Sequence, residues 1–307
     1  MAEILNSIDE AIGQTKLVRL SRIVSEYGVK GNIYAKLEYL NPGSSKKDRI
    51  AKAMIDAAEE SGALKKGQPV IELTSGNTGI GLAIVCALRG YRFIACMSAG
   101  NSVERARMMR ALGAEVVLVP QAPDSIPGQV SGDDVVFVEA EAQRLTEELG
   151  AFRADQFRLP ANIYAHWYGT AKEMIEQTGG DIDAFVDYTG SGGTFAGVSR
   201  GMKEFNPNIK CYIVEPATKS HVIQGGGYFI DLPLIDHSLC DGIINVSSEE
   251  SVEFTRNLAK LEGAFCGFSS GANVCAAVKL LHAEFEGKSV VLTLNDSGLK
   301  YLSTDLF

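Results

Sequence analysis

Val70-Ile71-Glu72-Leu73-Thr74-Ser75-Gly76-Asn77-Thr78-Gly79-Ile80 is the stretch on which the fold turns. Its first four residues read as a short buried strand, 74–79 as a polar loop, and the apolar run 80–88 as a helix. The same unit recurs on both sides. Downstream, 91–97 reads as strand, 98–102 as loop, 103–112 as helix and 115–119 as strand. Upstream, the strand-like Ile33-Tyr34-Ala35-Lys36-Leu37-Glu38-Tyr39 leads through Asn41-Pro42-Gly43-Ser44-Ser45-Lys46-Lys47-Asp48-Arg49 into a helix over 50–58. Later units are the strand 184–188 with loop 189–194 and helix 195–205, the strand 210–214, the loop 269–273 with a helix to about Glu284, and a last strand over 290–294 before Asn295-Asp296-Ser297-Gly298. Strands alternating with helices predict an α/β protein with parallel sheets and crossover connections. Segment 12–20 reads as an extended entry. Segment 120–134, with three prolines and two glycines and no apolar period, reads as a surface loop long enough to act as a lid, ahead of a helix over 138–149.

With 307 residues and 46% hydrophobic content, the chain can bury a large core, most naturally as two lobes. A net charge of -9 with no basic stripe argues against nucleic acid as a partner. No apolar run approaches the ~20 residues of a membrane span, and the first residues lack a signal peptide's basic start and apolar stretch, so a cytoplasmic protein is expected. The six cysteines are scattered in apolar segments without a C-x-x-C pair, which predicts buried thiols and neither a metal site nor a disulfide framework.

Strand–glycine loop–helix junctions bind anions, because free amides and the helix dipole point at the ligand. The loop Thr189-Gly190-Ser191-Gly192-Gly193-Thr194 has no lysine in the P-loop position and no G-x-G-x-x-G, so it suits a single phosphate. The loop over 74–79 offers hydroxyls and an amide, which suit a carboxylate. Lys47 falls in the first turn of a helix, where Ser44 and Ser45 can accept from the free amides. The amides' partial positive charge there favours a neutral, nucleophilic amine. Phosphate at one end, an imine-forming lysine and a carboxylate at the other describe an amino acid on pyridoxal phosphate. Each loop alone is also an ordinary βα turn, and Lys46-Lys47-Asp48-Arg49 alone is also a solvated helix start.

Over nearly its whole length the chain resembles the cysteine synthase and cystathionine beta-synthase family of fold-type II pyridoxal phosphate enzymes. The resemblance lies in 33–51, 72–83, 156–162 with His166, 190–194, 267–272 and 296–304. It implies a two-lobed, tryptophan synthase beta-like fold, with 42–150 as a smaller mobile lobe and 1–41 plus 151–307 as the larger, cofactor-binding lobe, in a homodimer. It also implies that Lys47, rather than Lys46, is the Schiff-base lysine and proton carrier. Asn77 would bind the ring hydroxyl. Gly190, Ser191, Gly192, Gly193 and Thr194 would hold the phosphate. Ser269, ahead of Ser270, would face the pyridine nitrogen. Thr74, Ser75, Thr78 and Gln156 would take the substrate carboxylate, Asn77 would also contact the substrate, and Gly227 and Tyr228 would lie on the second-substrate side. A neutral serine at the pyridine nitrogen makes the ring a weaker electron sink, which favours α,β-elimination over transamination.

The implied reaction is β-elimination or β-replacement on a small L-amino acid, L-cysteine or L-serine, through an α-aminoacrylate, with hydrogen sulfide released or consumed and a thiol, sulfide or water as co-substrate. O-acetyl-L-serine sulfhydrylase activity is the alternative, and a catalytically weak, partner-binding homologue a further one. The chain departs from the family at Lys16 and Lys46, read as surface changes, at 98–102, in the long segment 120–134, and at Gln224-Gly225-Gly226-Gly227-Tyr228-Phe229-Ile230-Asp231. There Asp231 replaces an apolar residue. It is expected at the mouth of the site, activating water or a thiol or protonating a leaving thiolate. His166 and Trp167 are expected to pack at the lobe junction, the 296–298 loop to shape the cofactor pocket, and Arg105 and Arg107 to be helix-surface charges. No haem-ligand signature or regulatory module is expected.

Overall fold

A computed structural model of the protein describes residues 4–228 and 230–307; Phe229, within the 224–231 stretch quoted above, and residues 1–3 lie outside the described residues. In chain order the strands are β1 (Leu17–Arg19), β2 (Asn32–Leu37), β3 (Val70–Leu73), β4 (Phe93–Ser98), β5 (Glu115–Val119), β6 (Phe152–Arg153), β7 (Ala184–Tyr188), β8 (Lys210–Pro216), β9 (Gly242–Val246) and β10 (Ser289–Leu294). The α-helices are α1 (Ser21–Glu26), α2 (Lys47–Glu60), α3 (Asn77–Arg89), α4 (Val103–Ala111), α5 (Gly132–Leu149), α6 (Ala161–Ala165), α7 (Lys172–Thr178), α8 (Gly193–Phe205), α9 (Ser248–Asn257) and α10 (Phe268–His282).

Two sheets result, one ordered β1-β2-β10-β7-β8-β9 and one ordered β5-β4-β3-β6. All neighbours are parallel except β1 and β2. Parallel strands covered by helices on both faces need apolar residues on both faces. Accordingly every residue of β3, β4, β7 and β10 is buried. Ile50, Met54 and Ile80 pack on one face of the smaller sheet and Val135 and Val138 of α5 on the other. Phe195, Val198 and Met202 of α8 cover one face of the larger sheet, and Val274, Val278 and Leu281 of α10 the other. The smaller sheet extends past residue 150, because β6 pairs with β3.

Helix α5 begins at Gly132, six residues before the expected Val138. A reciprocal capping box between Ser131 and Asp134 starts it. Its first turn is polar and so carries no apolar period to read. All six cysteines are free, with Cys240 half-buried and the others buried. Among the described residues no helix is long and apolar enough to cross a membrane, and no group of histidine, cysteine and acidic side chains could hold a metal ion.

In both sheets the chemistry-bearing loops leave the carboxyl ends of strands: 74–76 after β3, 99–102 after β4, 189–192 after β7 and 295–297 after β10. Open α/β sheets bind ligands there.

Candidate active site

A cleft opens between the two sheets, lined by Lys47, Thr74, Ser75, Asn77, Thr78, Gln156, Gly190, Ser191, Gly225 and Tyr228, with Val130, Val135, Val138 and Phe157 as an apolar wall. Lys47 is the first residue of α2, and its amide donates to the Ser45 hydroxyl. Burial, reinforced by the neighbouring Lys46 charge, pulls the Lys47 amine down to about 7, against the attraction of Asp187 and Asp296. Lys46 points elsewhere. It is buried, not a surface change, and its Nζ pairs with Asp187 of β7 at 2.6 Å.

On one side of Lys47 lies the loop after β3. Thr74 Oγ1 accepts from the amides of Gly76 and Gly79, at 2.9 and 3.0 Å, which leaves its O–H to donate. Among the described residues the amides of Ser75, Asn77 and Thr78 find no acceptor. Gln156 lines the cleft, but both its N–H groups are taken, by Glu72 Oε1 at 3.1 Å and Leu73 O at 3.0 Å, and its Oε1 accepts from the Thr78 hydroxyl at 2.6 Å. Held this way, it orients Thr78.

On the other side lies the glycine loop at the start of α8. Among the described residues the amides of Gly190, Ser191, Gly192, Gly193 and Thr194 have no acceptor. Asn162 backs the loop, donating to Ser191 Oγ at 3.0 Å, and a Cβ on Gly193 would collide with Asn162 Oδ1. His166 is fully buried and meets Thr194 Oγ1 through Nε2 at 3.2 Å and Thr170 Oγ1 through Nδ1 at 2.9 Å. Trp167 instead stacks on Tyr168 and donates to Glu204 at the surface, not at the lobe junction. The Gly227 amide donates to Thr189 O at 3.0 Å, so the 225–228 segment lies against the glycine loop. The Tyr228 hydroxyl faces Ser75 and Gly225.

Ser269, in the first turn of α10, accepts from Asn295 Nδ2 at 3.0 Å and keeps its own proton to donate. Ser270 is more deeply buried, and its hydroxyl accepts from the Asn295 amide. Asp231 is not brought into the cleft: it is exposed, beside Ile230, which lines an adjoining hollow with Gly227 and Tyr228.

Arg105 corrects the sequence reading. It is fully buried, donates to Ser75 O at 2.7 Å and to the Tyr301 hydroxyl at 2.6 Å, and lies 3.7 Å from Asp296. Lys300 and Tyr301 are equally buried below the cleft and were not singled out, since a lysine in a short C-terminal turn reads as a surface residue. Glu72, which holds Gln156 and pairs with Arg153 at 2.9 Å, was missed for a similar reason: its strand is otherwise apolar.

A family model described as "Pyridoxal-phosphate dependent enzyme" matches residues 8–296. The chain belongs to this family. As a pyridoxal-phosphate dependent enzyme it is 39% identical over 313 residues to a cysteine synthase of Staphylococcus aureus, covering 99% of this chain and 97% of the relative. The crystal structure of a cysteine synthase from Entamoeba histolytica superposes with a TM-score of 0.91 at 36% identity, covering 99% of this chain and 91% of that one. A hydrogen sulfide-producing enzyme from Fusobacterium nucleatum superposes with a TM-score of 0.89 at 35% identity, covering 97% of this chain and 100% of that one.

The residues present fit the cofactor. A run of unpartnered amides at the α8 N-terminus suits its phosphate. A lysine amine drawn down to about 7 suits its aldehyde carbon, and a hydroxyl with a free proton suits its ring nitrogen.

Proposed function

We propose that this enzyme exchanges groups at Cβ of a small L-amino acid, releasing or consuming sulfide, with L-cysteine or L-serine as first substrate. The observation that carries the reading is the place of Lys47, with its amine drawn down to about 7, between a loop of unpartnered amides on either side. Pyridoxal phosphate, bound through Lys47 with its phosphate on residues 190–194 and its ring nitrogen at Ser269, would supply the electron sink at Cα.

Thr74, Ser75 and Thr78 hold the substrate carboxylate in this reading, with Gln156 fixing Thr78 from behind and the Asn77 side chain meeting the cofactor's ring hydroxyl. Lys47, once released, removes the Cα proton and later returns it. The substituent on Cβ then faces Val130, Val135, Val138 and Phe157, a wall that favours small uncharged groups. Lys47 is the sole charged residue among the described residues lining the cleft, so phosphoryl or carboxyl groups on Cβ find no counter-charge. Asp231, exposed and next in sequence to Ile230 of the adjoining hollow, would act on the thiol or water arriving from solvent. Closure of the 42–150 lobe belongs to the same reading, since the carboxylate loop and the apolar wall lie within 42–150 or beside it and the glycine loop in the remainder. Sulfur chemistry at Cβ also agrees with the cysteine synthase and sulfide-producing relatives.

A specific observation favours O-acetyl-L-serine as the alternative first substrate: no carboxylate lines the cleft among the described residues, and acetate leaves without needing a proton. Visible spectra of the holoenzyme with L-cysteine, L-serine and O-acetyl-L-serine in turn, with sulfide assayed in parallel, separate the two. Sulfide release from L-cysteine, reduced about tenfold or more in Asp231→Asn, is the expected result. Response to O-acetyl-L-serine alone, with Asp231→Asn unchanged, would establish the alternative; no spectral response to any of the three would remove both.

A further inference from the structure

Below the cleft lies a cluster that the proposed reaction leaves unused. Lys300 is fully buried, and its Nζ donates to Gly43 O at 2.8 Å, Ser44 O at 3.1 Å and Asn77 Oδ1 at 2.8 Å. Three acceptors use all three N–H groups of an ammonium, which a neutral amine could not supply. Burial draws the lysine below its ordinary value, while the carboxylates of Asp296 and Asp48 draw it back up. Asp296 is itself fully buried and accepts through Oδ2 from Asn77 Nδ2 and from the Tyr301 hydroxyl, both at 2.8 Å. Arg105 completes the cluster at 3.7 Å from Asp296.

Asn77 is therefore clamped between a cation and an anion. Turning its amide over would set the NH₂ group against the Lys300 ammonium and the carbonyl against the Asp296 carboxylate, two repulsive contacts in place of two charge-assisted bonds. In the orientation held, one N–H goes to Asp296, and the second remains available in the cleft that Asn77 lines.

We infer that Lys300 is a positioning residue for the cofactor: it pins the Asn77 amide so that an N–H faces the ring hydroxyl of pyridoxal phosphate, and its charge favours the deprotonated form of that oxygen. This rests on the reading that Asn77 meets the ring hydroxyl. The charge acts through one intervening side chain in a dry setting, where Coulomb interactions are weakly screened. Asp296 and Asp48 limit its field and Arg105 adds to it, while among the described residues Lys300 is the group that donates to the Asn77 carbonyl.

The ring's visible absorption reports the protonation of that oxygen, which gives a readout independent of turnover. Holoenzyme of wild type, Lys300→Met, Lys300→Gln, Lys300→Arg and Asn77→Ala would be titrated with pH by absorption, with cofactor affinity measured alongside and folding checked by circular dichroism. Lys300→Met is expected to move the spectrum at a fixed pH from the long-wavelength to the short-wavelength form and to weaken cofactor binding about tenfold or more. Lys300→Arg, which keeps the charge, is expected to restore most of the wild-type spectrum. Lys300→Gln keeps a donor for the Gly43 and Ser44 carbonyls, so it serves if Lys300→Met does not fold, and the same shift is expected. A folded Met or Gln variant with the wild-type spectrum, titration and affinity overturns the inference. If Asn77→Ala shifts the spectrum while those variants do not, only the Lys300 inference fails. If Asn77→Ala also leaves it unchanged, the assignment of Asn77 itself falls.

Discussion

Arg105 lies across the backbone of Gly76, so close that a Cβ on that glycine would meet the Arg105 Cδ at 2.5 Å. Gly76 also holds φ at 122°, a conformation that side chains rarely adopt. From there the guanidinium ties the loop after β3, through Ser75 O, to Tyr301 and Asp296. Removing one partner from a buried charge cluster leaves the others uncompensated. Arg105→Met should therefore destabilise the folded protein by about 3 kcal/mol, measured as a lower urea midpoint at unchanged slope; a loss near zero would mean that the charge is dispensable. None of this is legible in Ser102-Val103-Glu104-Arg105-Ala106-Arg107, where arginines two apart read as helix surface. Residue identity reveals an ion's burial only when its partners are close in sequence, and Tyr301 and Asp296 are about two hundred positions away. Lys46 misleads in the same way, since Asp187 comes from β7, 141 positions away. Lys47 could be read because its setting, turn then helix start, is local.

The glycine loop shows what an element contributes as a unit. Among the described residues, five consecutive amides at the start of α8 are left without acceptors, and Asn162 of α6 presses against Gly193 to hold them in place. A methyl group there forces Asn162 away from Ser191 and the main-chain carbonyl of Gln156, which it binds at 2.7 Å. Gly193→Ala should keep the fold by circular dichroism yet weaken pyridoxal phosphate binding about tenfold or more, as the loss of one or two charge-assisted bonds would. Unchanged cofactor affinity would show that the phosphate sits elsewhere. Elements of this kind were the most legible part of the fold, because strand, loop and helix are contiguous and each loop's composition states its chemistry. Helix starts were less so. At α5 the capping box lies in a segment whose prolines and aspartates read as loop, and the helix announces itself only where the apolar period begins at Val138.

At the scale of the molecule, a mixed sheet and a parallel one bring the carboxyl ends of β3 and β7 to opposite sides of Lys47, and that convergence makes one site from three loops distant in sequence. The alternation of strands and helices predicted such sheets, but their strand orders depend on pairing that no local pattern contains. β10, the last strand, sits between β2 and β7, and β6 joins the smaller sheet from beyond a long helix. The clamp of Lys300 and Asp296 on Asn77 exists only because of that assembly, which is why it could not be read in advance. The central claim is that this architecture leaves Lys47, and no other lysine, to hold the cofactor. Borohydride reduction of the holoenzyme fixes the carbon–nitrogen link between cofactor and lysine, and fragmentation mass spectrometry of the digested protein then locates it. The added mass is expected on Lys47 with Lys46 unmodified; the mass on Lys46, on Lys300 or on no lysine would rule out Lys47 as the residue that holds the cofactor.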